Sequence, residues 1–238
     1  MTFRAPSRRA LFAATAAAAL MLSLGSAQAQ TPENVLIVGQ IAEPQALDPA
    51  AVTAVNDFRI LMNMYDGLVR YKDGTLEVEP ALATDWTISE DGTVYTFTLR
   101  EGVMFHDGST FDAEAVKFNF ERMLKEDHPY HNTGPFPLAF FFSAVESVDV
   151  IDPLTVAFTL NAPYAPFLSN LAYPTGLIVS PAAVMEYGVD FGRHPSGTGA
   201  FSFGEWRSNE AVVVQANPEY WDGAPKLETV VFRPITDA

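Results

Sequence analysis

The chain has 238 residues, of which 48% are hydrophobic and none is cysteine, and its formal net charge is −15. Such a chain is expected to bury a sizeable core, in one large or two small domains, and not to be disordered. The absence of cysteine excludes disulfides, thiolate metal sites and cysteine nucleophiles. The acidic balance disfavours nucleic acid and anionic membrane surfaces as partners.

Residues 1–29 have the pattern of an export signal. A basic segment with three arginines precedes the apolar run 10–24, and a small-x-small site ending at Ala29 would leave Gln30 as the first residue after cleavage. The apolar run is too short to span a bilayer comfortably. The adjacent pair Arg8 and Arg9 also fits a twin-arginine signal, so both the general and the twin-arginine export routes stay open. Since no cysteine can carry a lipid anchor, we expect a free periplasmic protein.

Short strands and helices are predicted to alternate after the signal. The apolar run 35–38 predicts a buried strand, and the Pro- and Asp-containing segment 43–49 predicts a turn-rich loop. A helix is expected to be capped by Asp57 and to stop at Gly67. A strand over 68–71 is predicted next.

The middle of the chain has the alternation that is typical of antiparallel hairpins. Segments 86–89 and 94–99 flank a Glu-Asp-Gly turn, and alternate apolar residues of the second segment predict one buried face. Asp112 is expected to cap a helix that runs to Lys125. The segment 128–142, rich in proline and aromatic residues, is expected to be a loop.

A second hairpin and several further strands are predicted in the last part of the chain. Segments 146–150 and 155–160 flank an Asp-Pro turn. One helix is expected after Pro166, and another from Ser180 to Gly188. The remaining predictions are a loop at 195–199 and strands at 177–179, 200–203, 212–215 and 229–232. Hairpins beside helix-connected strands indicate a mixed α/β class.

Motifs of catalysis are absent from the sequence. It has no Gly-x-Ser-x-Gly elbow, phosphate-binding glycine loop or His-Glu-x-x-His pair, so we do not expect an enzyme; a secreted hydrolase is the enzymatic alternative. His128 and His131, with Asp127, come nearest to a metal site, but two imidazoles without a clear third ligand favour solvated loop histidines. No metal or cofactor is therefore expected. His106 is expected to make a local hydrogen bond and His194 to be exposed.

Five blocks of the sequence agree in order and spacing with a known family. They are residues 83–108, 111–118, 197–199, 217–223 and 232–235. Together they resemble bacterial solute-binding protein family 5, which includes dipeptide-, oligopeptide-, glutathione- and nickel-binding proteins. The first block holds Trp86 and a Phe-His-Asp-Gly turn, and it also reads as hairpin core and positive-φ turns. These motifs therefore mainly specify the fold.

The resemblance implies a lobe of a two-lobed, clamshell-like protein that closes on its ligand. It implies a type II periplasmic-binding-protein-like lobe with a mixed sheet, whose main part is 30–65 and 164–238. Residues 66–163 are expected to form an inserted, hairpin-rich subdomain. Family members are roughly twice as long, so the second lobe is expected to be missing and the chain to be a fragment that binds ligand weakly or not at all.

The resemblance also implies where ligand would be contacted. The loop after Leu-Asp-Pro, residues 53–55, is expected to offer backbone hydrogen bonds to an extended peptide. The aromatic loop, residues 130–142, is expected to offer apolar walls to the ligand, and packing within the subdomain is an equal alternative for it. The candidate cleft residues are Thr53, Ala54, Val55, Asn56, Tyr130, Phe136, Gly197, Thr198 and Gly199.

The function that the resemblance implies is solute capture for an ABC importer. The expected ligand is a small peptide or a related small solute, including a nickel chelate. The expected partners are the permease subunits in the inner membrane, and the protein is expected to be a monomer. A ligand-presenting module for a membrane sensor is the alternative, because it would share the fold and differ only in its partner.

Overall fold

The computed structural model describes residues 31–235, and residues from Asn34 onward form one compact unit. The predicted export signal lies outside the described residues. Within the described range, helices are all too short or too polar to qualify as a membrane span.

Ten strands and four α-helices lie within residues 31–235. The strands are β1 Val35–Gln40, β2 Val69–Tyr71, β3 Val78–Pro80, β4 Ala83–Ile88, β5 Val94–Leu99, β6 Val145–Asp152, β7 Thr155–Leu160, β8 Phe201–Arg207, β9 Ala211–Ala216 and β10 Thr229–Pro234. The helices are α1 Val55–Met64, α2 Ala113–Leu124, α3 Phe167–Leu171 and α4 Pro181–Tyr187. Short 3₁₀ turns cover His131–Thr133, Ala139–Phe142, Pro174–Gly176 and Gly188–Arg193.

The strands form one mixed sheet, one antiparallel sheet and a small ribbon. The mixed sheet has the order β1-β10-β9-β8, in which only the β1–β10 pair is parallel. The antiparallel sheet has the order β4-β5-β7-β6, and β2 pairs with β3. Mixed sheets with packed helices confirm the predicted α/β class.

Two hydrophobic cores lie inside this one unit. The first packs α2 and α3 against the antiparallel sheet, with Phe97, Phe120 and Phe158 fully buried at its centre. The second packs α1 and α4 against the mixed sheet. The predicted division into 66–163 and the flanking segments stays a prediction.

The structure confirms both predicted hairpins and the predicted helix cap at Asp112. On β5 the alternate residues Tyr95, Phe97 and Leu99 are buried, as the pattern predicts. Asp112 caps α2 by accepting a hydrogen bond from the Ala115 amide, and Ser180 caps α4 in the same way. In both cases a short polar side chain satisfies a helical N–H group that has no partner in the helix.

The sequence-based expectations for β1 and for the start of α1 are wrong. Strand β1 is not buried: it lies at the edge of the mixed sheet, and Leu36 and Ile37 are each 45% exposed. Asp57 is not the N-cap of α1, because the helix begins two residues earlier and Ala54 is the cap residue. Asp57 instead accepts hydrogen bonds from the Gln45 amide and the Asn56 side chain.

Residues 177–179 do not form the predicted strand. Leu177 makes one isolated bridge to Gly67. The side-chain amide of Asn119 donates to the Val179 carbonyl oxygen at 2.8 Å and accepts from the Val179 amide at 3.0 Å. A buried asparagine on α2 therefore takes the place of a neighbouring strand.

Candidate functional site

The predicted peptide-contacting loop lies at the N-terminal end of α1. Thr53 is exposed, Val55 is 65% exposed, and Ala54 has extended backbone angles and provides no side-chain cap for the helix. Asn56 is buried, and its side-chain amide donates to the Glu43 carbonyl oxygen at 3.3 Å. The loop thus presents Thr53 and Val55 outward while Asn56 fixes it from behind.

Asp57 is a buried carboxylate directly beneath this loop. Its Oδ1 accepts hydrogen bonds from the Gln45 amide at 3.3 Å and from the Asn56 side chain at 2.9 Å, while its Oδ2 is buried without a partner. Burial raises the pKa of Asp57 to about 6, although hydrogen bonds from backbone amides partly oppose the change.

A buried ion pair holds the turn that leads into the loop. The Arg122 guanidinium on α2 contacts the Asp48 carboxylate through two hydrogen bonds, Nη1 to Oδ2 at 2.8 Å and Nη2 to Oδ1 at 3.2 Å. The side chains are 0% and 2% exposed. Asp48 Oδ1 also accepts from the Ala50 amide at 3.0 Å, so the carboxylate organises the Leu-Asp-Pro turn.

The glycine loop, which consists of residues 197–199, packs against the C-terminal end of α1. The Gly199 amide donates to the Met64 carbonyl oxygen at 3.0 Å, and Thr198 Oγ1 donates to Asp66 Oδ2 at 2.8 Å. A Cβ atom at Gly197 would lie 2.2 Å from Met64 O, and one at Gly199 would lie 2.4 Å from Met64 C. Both glycines are required because the two backbones approach too closely for a side chain.

The two predicted contact loops do not meet. Thr53–Asn56 lies at the start of α1 and Gly197–Gly199 at its end, and a helix of ten residues is about 15 Å long. Gly197, Thr198 and Gly199 are all buried. In this structure they contact the end of α1 and Asp66.

The aromatic loop also packs mainly inward. Tyr130 is half-buried, and its ring lies 5.7 Å from Phe118. Phe136 is 6% exposed, with its ring 5.4 Å from His131 and 5.2 Å from the Arg122 guanidinium. By contrast Phe140, which the sequence did not single out, is 60% exposed.

Asp66 is a polar centre between the glycine loop and the segment 217–223. Besides Thr198 it accepts hydrogen bonds from Tyr220 Oη at 2.9 Å and from Trp221 Nε1 at 3.0 Å. The Trp221 ring lies under the Arg100 guanidinium at 4.3 Å. Beside this centre is a cavity of about 510 Å³ that Thr198, Asn217 and Trp221 help to line.

All four histidines contact other residues of the chain. The expected local hydrogen bond of His106 is not the one observed, because its Nε2 donates at 2.9 Å to the carbonyl oxygen of the distant residue Gly199. Burial lowers the pKa of His106. His128 Nδ1 accepts from the Tyr130 amide, and His131 Nδ1 donates to the Arg122 carbonyl oxygen. His194 is exposed, as expected, and stacks on Tyr187 at 4.2 Å. Within residues 31–235 the structure brings no three His, Asp or Glu side chains together as a metal site would require.

Sequence reasoning missed Asp48, Asp57, Asp66 and Arg122 as organising residues. Arg122 carried one signal, because it stands among the apolar residues of an amphipathic helix. Nothing in the sequence indicated its partner, since Asp48 is 74 residues away.

The chain is similar in sequence to proteins of a known family. The sequence profile described as "Bacterial extracellular solute-binding proteins, family 5 Middle" matches residues 77–238. A glutathione-binding protein, GsiB, of Salmonella paratyphi A is 36% identical over 192 residues, which cover 80% of this chain and 36% of that protein. Di/tripeptide-binding protein 2 of Pseudomonas aeruginosa is 36% identical over 90% of this chain and 43% of its own length.

A solved structure gives the same result. The periplasmic binding protein DppA of Helicobacter pylori, in complex with the peptide STSA, superposes with a TM-score of 0.79 at 36% identity, covering 85% of this chain and 43% of that one. The chain therefore spans about two-fifths of the length of the relatives that it matches. With mixed and antiparallel sheets in the arrangement of these proteins and a profile match over most of its length, the chain belongs to the bacterial extracellular solute-binding proteins of family 5.

Proposed function

We propose that the chain is part of the substrate-binding component of an ABC importer. In this role it captures a small peptide or a related small solute, including a nickel chelate, and delivers it to permease subunits in the inner membrane. The observation that carries the proposal is the family match together with the similar proteins, which are a glutathione-binding protein, a di/tripeptide-binding protein and a protein solved in complex with the peptide STSA.

The exposed loop at the start of α1 supports peptide as the ligand class. Thr53 and Val55 face outward from a backbone that is extended at Ala54, and an extended peptide pairs with such a segment through main-chain hydrogen bonds. Asn56 and Asp57 hold the segment from the protein side. This arrangement suits a ligand that is recognised through its own backbone.

The remaining parts of the proposal concern place and mode of action. We expect export to the periplasm with cleavage after Ala29, because residues 1–29 have the signal pattern. We expect binding without catalysis, and a monomer. Peptide recognition through Gly197, Thr198 and Gly199 requires a rearrangement, since these residues are buried.

The proposal is tested on the protein as its own bacterium makes it. Periplasmic extract is the source, and the intact mass of the purified protein shows whether it begins at Gln30. Calorimetric titrations then use glutathione, the dipeptide Met-Leu, the peptide STSA and Ni(L-His) as probes. We expect saturable one-to-one binding of at least one probe. No binding of any probe, together with unimpaired peptide uptake by a strain that lacks the gene, would refute the proposal.

A further inference from the structure

Arg122 joins the ion pair with Asp48 to the aromatic loop. Its Nη1 donates to Thr133 Oγ1 at 3.2 Å, and Thr133 Oγ1 in turn donates to the Tyr130 carbonyl oxygen at 2.8 Å. The Arg122 carbonyl oxygen accepts from His131 Nδ1 at 2.9 Å. One residue of α2 therefore contacts the loop through its side chain and its backbone.

The aromatic loop needs such support because its backbone is strained. Phe136 has φ of 47°, a left-handed conformation that bulky residues rarely adopt. A Cβ atom at Gly134 would lie 2.4 Å from the Phe136 ring. The ring packs on Arg122 and His131, so these contacts hold Phe136 in its conformation.

Asp48 fixes the other loop. Its neighbour Leu47 is tied at both ends, because the Leu47 amide donates to the Gly192 carbonyl oxygen at 2.9 Å and the Leu47 carbonyl oxygen accepts from Tyr65 Oη at 2.7 Å. The turn at Asp48 and Ala50 then directs the chain toward Thr53. The ion pair is thus the shared anchor of two loops that are far apart in sequence.

Stability alone does not explain a buried ion pair. Removing two charges from water costs about as much as their attraction returns, and apolar residues of similar size are often as stable or more so. In addition Arg122 Nε is buried without a partner. A role in fixing the geometry of the two loops would explain the presence of the buried pair.

We propose that Asp48 and Arg122 are a positioning pair, which holds the loop at Thr53–Asn56 in a fixed relation to the loop at Tyr130–Phe136. The inference rests on the proposed function only in assigning solute contact to these two loops. The pair itself touches no solute and acts through the loops that it anchors.

The test measures the distance between the loops directly. The sequence has no cysteine, so spin labels attached to Thr53→Cys and Asn132→Cys occupy only these two exposed positions. The variant Asp48→Leu/Arg122→Met replaces the pair by apolar side chains. We expect a narrow distance distribution with the native pair and one about twice as broad in the variant, with Tm changed by less than about 4 °C. An unchanged distribution overturns the proposal.

A matched control lies on the same helix. Glu121 and Lys125 form an exposed pair at 2.7 Å, and Glu121→Gln/Lys125→Gln is expected to leave the distribution unchanged. If the apolar variant fails to fold, Asp48→Asn replaces it, because an amide offers Arg122 one acceptor oxygen instead of two. It is expected to broaden the distribution, and a narrow distribution there also overturns the proposal.

Ligand affinity tests whether the two anchored loops contact the solute. In the protein from its own bacterium, Asp48→Asn is expected to weaken the binding of glutathione, or of whichever probe binds, at least about tenfold. A broadened distance distribution with unchanged probe affinity would support the positioning role and exclude these loops from the ligand site. If no probe binds the unaltered protein, the proposed function fails, and the distance measurement still decides the positioning role.

Discussion

Asp57 combines burial with a position in the first turn of a helix. A carboxylate near a helix N-terminus is ordinarily stabilised in its charged form. Here burial outweighs that effect, since the side chain has one oxygen without a partner and the pKa rises from 3.8 to about 6. The folded protein therefore binds a proton at Asp57 more tightly than the unfolded chain does.

The sign of the pH dependence follows from this difference. The stabilising contribution of protonated Asp57 is complete below pH 3.8 and is lost as the pH rises through about 6. Asp57→Asn removes this dependence. We expect the difference in unfolding free energy between the variant and the unaltered protein to shift in favour of the variant by about 1–2 kcal/mol when the pH is raised from about 5 to about 7.5. Urea unfolding at the two pH values measures the gain.

Asp91 provides a control of opposite sign. Hydrogen bonds from Ser89 and Thr93 lower the pKa of this exposed carboxyl, so its contribution is present above pH 3.8 and is lost as the pH falls. Asp91→Asn is expected to show no gain in unfolding free energy at neutral pH. If Asp57→Asn follows the pH dependence of the unaltered protein, the assignment to Asp57 is wrong.

At the scale of elements, the junction between α1 and the glycine loop is the tightest contact near the candidate site. A Cβ atom at Gly199 would meet the backbone of Met64 and Asn63 within 2.7 Å. Gly199→Ala is expected to cost about 1–3 kcal/mol of unfolding free energy, because backbone cannot move aside as a flexible side chain can. Denaturant unfolding gives this value.

Gly102→Ala is the matched control. Gly102 has φ of 76° and open space around it, so its substitution introduces backbone strain without a clash. We expect a cost of about 1 kcal/mol. A Gly199→Ala variant that is as stable as the unaltered protein would show that the loop can withdraw from α1.

Local pattern determined which elements could be predicted. The hairpins β4–β5 and β6–β7 and the cap at Asp112 depend on residues close in sequence, and these predictions are confirmed. Residues 177–179 have the composition of a strand, but their backbone bonds to Asn119 on a distant helix. Composition does not reveal such a partner.

At the scale of the whole molecule, the candidate site was only partly predictable. The exposed loop at Thr53 and Val55 was expected from the resemblance. The contacts that hold the site join Asp48 to Arg122 and Asp66 to Trp221, over separations of 74 and 155 residues. Pairs at such distances arise from the three-dimensional packing, and a single sequence contains no direct record of them.

The length of the chain relative to its relatives leads to a further prediction. The chain covers 36% and 43% of two of them, and the resemblance places ligand between two lobes. Residues 30–238 expressed alone are therefore expected to bind glutathione, Met-Leu and STSA weakly or not at all. Calorimetry is the measurement, with far-UV circular dichroism as the check on folding. Micromolar binding would contradict the prediction and place a complete site on this chain.

The parallel pairing of β1 with β10 has a consequence for synthesis. Within residues 31–235 the strand partner of β1 is β10, so residues 35–40 can pair only after residues 229–234 have been synthesised. All four strands of the antiparallel sheet lie before residue 161, so they are synthesised before β8, β9 and β10. Until β10 has been synthesised, β1 is a nascent segment that lacks its parallel strand partner.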